Sequence, residues 1–348
     1  MLRGGAKGID SMKSTDEFDP ANAAWLAHRY DVASDRVMYR NVPRAMHRDG
    51  PFLTDQLVSG RPEMILNRSE GVRGARANAA PVHFILHSAF CASTLLVRAL
   101  DVPGIAMGLS EPVLLNDVVG TYRRGERTGA ELARLMDESV TLLSRRWEAG
   151  ESVVIKPSNI LCGLQRPLLA LRRDSCAVLL HAPLRSFLIS VARKGLWCRL
   201  WGRELLEGFL REGLVDLGFQ PNDYFRLSDL QVAAVGWLVQ HGQFASLTNE
   251  FPDRTRTLDS ERLLSDPEAA LIATATLFGL PDVNAFANNP AFARHSKSGA
   301  AFSPADRSEE HAAALAAHGD EIDKVHTWAL ALANAAGIAM VLPRPLLG

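Results

Sequence analysis

Hydrophobic and polar positions change period repeatedly along residues 82–280. The run 82–86 (VHFIL) is short, mostly apolar and rich in strand formers, and from Thr94 onward Leu95, Leu96, Ala99 and Leu100 recur at helical spacing. Between them, 88–93 (SAFCAS) is a loop of small residues around one Phe and one Cys. The pattern predicts strand, tight loop, helix. Further strands are predicted at 104–107, 152–155 (SVVI), 177–181 (AVLLH) and 255–258 (TRTL). Helical spacing covers 130–147, much of 196–250, and the segment after Pro183, whose apolar side is Phe187, Leu188, Val191 and Ala192. Pro183, Asp259 and the pair Asp266 and Pro267 suit helix starts. Strands alternating with helices over roughly 180 residues predict an α/β fold: a doubly wound parallel sheet with right-handed crossovers, flanked by helices.

The rest of the chain is less regular. Residues 1–20 read as disordered. Residues 21–75 read as an extension packed on the core, with a helix at 21–28 and an extended piece near 37–39, and 71–80 (GVRGARANAA) reads as a linker. Residues 76–348 then form the main α/β domain. The apolar stretch 329–342 carries Asn334 and Gly337 and falls short of the ~20 residues of a membrane span, so it predicts a packed C-terminal helix.

Charge narrows the function classes. The 348 residues hold 38 Lys+Arg against 39 Asp+Glu, a net charge of −1, which disfavours a nucleic-acid partner. Cys91, Cys162, Cys176 and Cys198 show neither metal spacing nor a disulfide framework, which fits a reducing cytoplasm and no metal. The first twenty residues lack the apolar core of a signal peptide.

In open parallel sheets, ligands bind beyond the carboxyl ends of the strands. The groups at those ends are Ser88 to Thr94, then Glu111, then Lys156 with Ser158 and Asn159, then His181 to Lys194, and they are expected to face one crevice. In the first unit the backbone N–H groups of Ser88, Ala89, Phe90, Cys91, Ala92, Ser93, Thr94 and Leu95 converge with the positive end of the helix dipole, and the Ser93 and Thr94 hydroxyls add donors. That combination is an anion site. A nucleotide-hydrolase loop would need G-x-x-x-x-G-K-[ST], and 88–94 contains neither Gly nor Lys. A cysteine phosphatase loop needs five residues between Cys and Arg, whereas Cys91 and Arg98 are separated by six. An ordinary β-α turn with incidental hydroxyls is the plain alternative.

Three segments together carry a family resemblance. CASTLLVRALDVPGIAMGLSEP (91–112), LLHAPLRSFLISVARKG (179–195) and TRTLDSERLLSDPEAALIATATLFGLP (255–281), with Trp237 between the last two, resemble in order the 5′-phosphosulfate loop, the 3′-phosphate strand and helix, and a later strand and helix of the sulfotransferases. That family moves a sulfuryl group from 3′-phosphoadenosine 5′-phosphosulfate, without a metal, to a hydroxyl or amine. The resemblance implies that Ser93 and Thr94 hold the 5′ phosphosulfate, that Ser190 and Lys194 hold the 3′-phosphate, and that Glu111 takes the acceptor's proton. The chain departs from the family where Phe90 and Ala182 replace expected cations. Lys156, with His87 second, is then expected to stabilise the charge developing in transfer, and Arg185 to replace the missing arginine. Arg193 is expected to meet solvent. In ARHSKSG (293–299), Lys297 beside His295 is expected to touch phosphate. Trp197 and Trp201 read first as core packing. Other readings are a nucleotide-binding module without turnover and a kinase-like phosphotransferase, the latter weakened by the missing loop Lys. The acceptor, whether a small molecule or a carbohydrate or lipid type, carries no readable code.

Overall fold

In the computed structural model, which describes residues 17–287, 289–293 and 304–348, the chain opens with an antiparallel sheet, not the helix expected at 21–28. β1 (Trp25–Asp31), β2 (Arg36–Asn41) and β3 (Glu63–Asn67) pair in that order, with α1 (Arg44–Asp49) between the last two. The alanines before Trp25 carry helix propensity, but pairing with the β-branched and aromatic run of β2 decides the outcome. The linker expected at 71–80 is also overturned, because α2 (Arg68–Arg76) runs through it. Its glycines give close packing: a Cβ on Gly71 would collide with the Tyr39 hydroxyl, and one on Gly74 with the Pro20 ring. Residues 1–16 lie outside the described part, but Phe18, inside the stretch expected to be disordered, packs edge-on against Trp25 with centroids 5.0 Å apart.

The parallel unit follows: β4 (Val82–His87), α3 (Ser93–Ala99), β5 (Ala106–Ser110), α4 (Val113–Arg123), α5 (Gly129–Leu143), β6 (Ser152–Lys156), α6 (Gln165–Leu171) and β7 (Ala177–His181). Then come α7 (Leu184–Arg193), α8 (Leu196–Arg211), α9 (Asp229–Glu250), β8 (Thr255–Asp259), α10 (Ser260–Ser265), α11 (Pro267–Leu277) and α12 (Pro304–Ala335). The five strands lie in the order β5-β6-β4-β7-β8, and every neighbouring pair is parallel. The Asp259 carboxylate caps α10 by accepting the Glu261 N–H at 2.7 Å, and Asp266 caps α11 with Pro267 in the first helical position.

Successive residues of these strands belong to different cores, which is what a sheet covered on both faces requires. Phe84 and Leu86 join one core with β1, β2, α4 and α5, while Ile85, Val178 and Leu180 join the other with α3, α7, α9 and α12. The N-terminal sheet is tied to α5 by Arg145. Its guanidinium is buried and donates to the carbonyls of Leu142, Pro20, Asn22 and Trp25, and burial pushes its pKa down to about 10. The helix expected to cover 329–342 ends sooner. Gly337, at φ +68°, turns the chain back, and the last residues run beside β8, where Thr257 N–H donates to Arg344 O at 3.0 Å. Among the described residues, no helix is long and apolar enough to cross a membrane.

Candidate functional site

A cavity of about 360 Å³ opens beyond the carboxyl ends of β4, β5 and β6. The loop after β4 forms its floor, contributing Ala89, Phe90, Cys91, Ala92, Ser93 and Thr94. α7 and its C-terminus add Ser190, Arg193 and Lys194, and α8 adds Trp197 and Trp201. Glu111, His87, Ser158, Asn159 and Phe52 close the opposite side.

The loop lacks glycine yet takes glycine-like conformations. Ala89, Phe90 and Ala92 have φ of +67°, +50° and +61°, in the left-handed region that costs of order 1 kcal/mol or more per residue. His87 helps impose that shape. Its Nδ1 accepts the Ala89 N–H at 3.1 Å and its Nε2 lies 3.0 Å from Pro157 O, an arrangement that assigns the proton to Nε2. Both ring nitrogens are thereby engaged, so His87 supports the loop, and its role as a proton acceptor would require breaking one of these bonds. Ser88 is likewise structural: its hydroxyl accepts the Ala182 N–H at 3.4 Å and joins β4 to β7. Leu95 is buried outside the cavity lining. Because α3 is only seven residues long, its dipole adds little; with the Ser88 N–H donated to Leu180 O and the Ala89 N–H to His87, the donors left to the loop are its later amides with Ser93 and Thr94. Burial raises the Cys91 thiol to about 11, which removes it as a nucleophile near neutral pH.

On the α7 side, the Ser190 hydroxyl donates to Ser186 O at 3.0 Å, so its proton has to turn before it can serve a ligand. Arg193 is exposed, as expected, and also lines the cavity and pairs with Glu310 at 2.5 Å. Arg185 does the reverse. Its guanidinium pairs with Asp323 on α12 at 2.8 Å, away from the cavity lining, so it does not replace the missing arginine. Trp197 forms cavity wall and is 68 % exposed, whereas Trp201 lines the cavity and also packs, partly buried, against the core as expected. His181 was expected in the same crevice, but it lines a separate cavity of about 200 Å³ with β8 and the C-terminal segment. Lys297 and His295 fall outside the described residues.

On the opposite side, Glu111 directly follows β5 at φ +51°, and its N–H donates to Lys156 O at 2.7 Å. The Lys156 ammonium donates to Glu111 Oε1 and lies 4.8 Å from the centroid of the Phe52 ring. Lys156 is fully buried and is not part of the cavity lining, but it contacts the lining residues Glu111 and Phe52. Glu111 Oε1 is also 3.7 Å from His87 Nε2. Phe52 was not found from sequence, since an irregular stretch such as 50–54 carries no periodic signal.

No protein-family profile matches the chain, nor does any curated protein sequence. Solved structures similar to it include two sulfotransferase domains. One is the sulfotransferase domain from the curacin biosynthetic pathway, with 16 % identity over 62 % of this chain and 77 % of that one, at a TM-score of 0.39. The other is the sulfotransferase domain from the Synechococcus PCC 7002 olefin synthase, with 12 % identity over 66 % of this chain and 84 % of that one, at a TM-score of 0.35.

Proposed function

We propose that the protein is a sulfotransferase that moves a sulfuryl group from 3′-phosphoadenosine 5′-phosphosulfate to a hydroxyl or amine acceptor, without a metal. The observation that carries this reading is that one cavity joins an anion-binding loop and two cationic side chains at one end to a carboxylate held by a buried lysine at the other. The donor set fits two separated anionic groups. Ser93, Thr94 and the loop amides suit the 5′ end, while Ser190, Arg193 and Lys194 suit the 3′-phosphate. The order of the three sequence segments supports the same reading.

The donor supplies the sulfuryl group and leaves as 3′,5′-diphosphoadenosine. Lys156 occupies Oε1 of Glu111, which fixes the carboxylate and assigns the acceptor's proton to Oε2. The loop amides and hydroxyls are oriented before the ligand arrives, and donors of that kind stabilise charge as it develops. The experiment is calorimetry with 3′,5′-diphosphoadenosine, AMP and ATP, with and without Mg²⁺, followed by transfer from labelled phosphosulfate to mixed hydroxyl and amine acceptors. Ten-fold or greater preference for the diphosphate without metal is expected. Equal affinity for AMP, or strict Mg²⁺ dependence, sinks the assignment and favours a phosphotransferase. A second reading, a binding module without turnover, draws on Lys156 being committed to Glu111 and set back from the cavity. Tight nucleotide binding with no transfer to any acceptor would favour it.

A further inference from the structure

Phe90 stands in the loop where the resembled family carries a cation, and its surroundings show what replaces that charge. The ring is braced on two sides: Phe187 of α7 lies 5.8 Å away between centroids, tilted by 44°, and Trp201 of α8 lies 5.6 Å away, edge-on at 73°. Against the ring sits the ammonium of Lys194, 5.5 Å from its centroid. Lys194 is the C-cap of α7, and Gly195 at φ +68° turns the chain immediately after it. A lysine there has a flexible four-carbon stem and no fixed direction of its own. The negative face of an aromatic ring within about 6 Å supplies one. Both residues line the cavity, and Phe90 lies between Ala89 and Ala92 in the left-handed loop.

We propose that Phe90 is a positioning residue whose ring holds the Lys194 ammonium beside the anion loop, so that α7 supplies the positive charge the loop itself lacks. The proposal rests on the nucleotide-binding reading above and identifies how this chain tolerates an aromatic residue at that position. It makes Phe90 and Lys194 one functional unit, which a double-mutant cycle measures directly.

The experiment is calorimetric titration of wild type, Phe90→Leu, Phe90→Trp, Lys194→Ala and Phe90→Leu/Lys194→Ala with 3′,5′-diphosphoadenosine, and separately with inorganic pyrophosphate. Phe90→Leu fills similar space without a π face and should weaken binding by about 3- to 10-fold, whereas Phe90→Trp keeps the face and should stay within about two-fold. In the Lys194→Ala background, Phe90→Leu should change affinity by less than about two-fold. Equal losses in both backgrounds overturn the proposal, as does wild-type affinity in Phe90→Leu. Should Phe90→Leu fail to fold, Phe90→Trp in both backgrounds decides: loss of binding with Lys194 present overturns the proposal. If wild type binds pyrophosphate but not the diphosphonucleotide, the functional reading fails while the cycle is still read with pyrophosphate. If wild type binds neither, both fail.

Discussion

At one end of the cavity the Lys156 side chain is 1 % exposed and bonded to Glu111; at the other, Arg193 and Glu310 are paired at 34 % and 41 % exposure. The lysine of the first pair is out of water while Glu111 faces the cavity at 22 % exposure, so loss of the carboxylate would strand a buried charge, and the pair fixes a geometry. The second sits where ion pairs contribute little, so Arg193 can exchange Glu310 for a ligand phosphate at small cost. One end is built to hold still and the other to change partners. The same sheet supports both because β5 and β6 carry the first pair in register, Ser110 opposite Lys156, whereas α7 and α12 carry the second on side chains.

The strongest break in this comparison is Glu111→Gln. General-base contributions are typically about 10² to 10⁴-fold, so transfer from labelled phosphosulfate should fall by that order while diphosphoadenosine affinity stays within a few-fold. A variant that turns over like wild type removes Glu111 from the reaction. Glu111→Gln should also lower stability by about 3 kcal/mol in urea unfolding, because the buried Lys156 loses its partner, and the double variant Glu111→Gln/Lys156→Met should recover part of the loss, because no buried charge is then stranded. Recovery of nothing would mean that the pair is not the source of the stability.

Acid separates the fold from the site. Burial lowers His47 and His83 to about 4, well below the ordinary value of 6.5. Between those values the unfolded chain binds protons that the folded one does not, so stability is full above pH 6.5 and is lost as pH falls toward 4, by up to about 3 kcal/mol per histidine. His47→Leu should flatten that decline in chemical unfolding measured from pH 7 to 4, and an unchanged slope would assign the acid sensitivity elsewhere. The smallest effect is expected at the exchangeable end. Glu310→Gln should tighten diphosphoadenosine binding by about 2- to 5-fold at low salt, with the gain absent in an Arg193→Ala background. Weaker binding would show that Glu310 holds Arg193 in place for the ligand and does not compete for it.

The parallel sheet was legible because its strands are short apolar runs with a clear change of period on either side; 177–181 was read with the bounds that β7 has. The N-terminal sheet was not, since its pairing depends on β2 and β3 and on contacts such as Arg145 with Trp25, 120 residues apart in sequence. Site residues divide in the same way. Glu111 directly follows β5, and Ser93 and Thr94 open the helix after the β4 loop, so the strand–loop–helix pattern located them. Arg185 was misread because its partner Asp323 lies 138 residues on, invisible to local pattern. Trp197 shows the limit of periodicity itself: an apolar stripe on a helix looks the same whether it faces a core or the wall of a cavity.

The three left-handed residues of the loop after β4, none of them glycine, bear on how stiff that loop is. Alanine and phenylalanine have fewer backbone states than glycine, so the unliganded loop has few other shapes to visit, and binding gives up little disorder. Placing glycine at Ala92 would relieve local strain while enlarging the repertoire of the empty loop. The chain thus obtains by tension a stiffness that a glycine-rich loop would acquire only once its ligand had arrived.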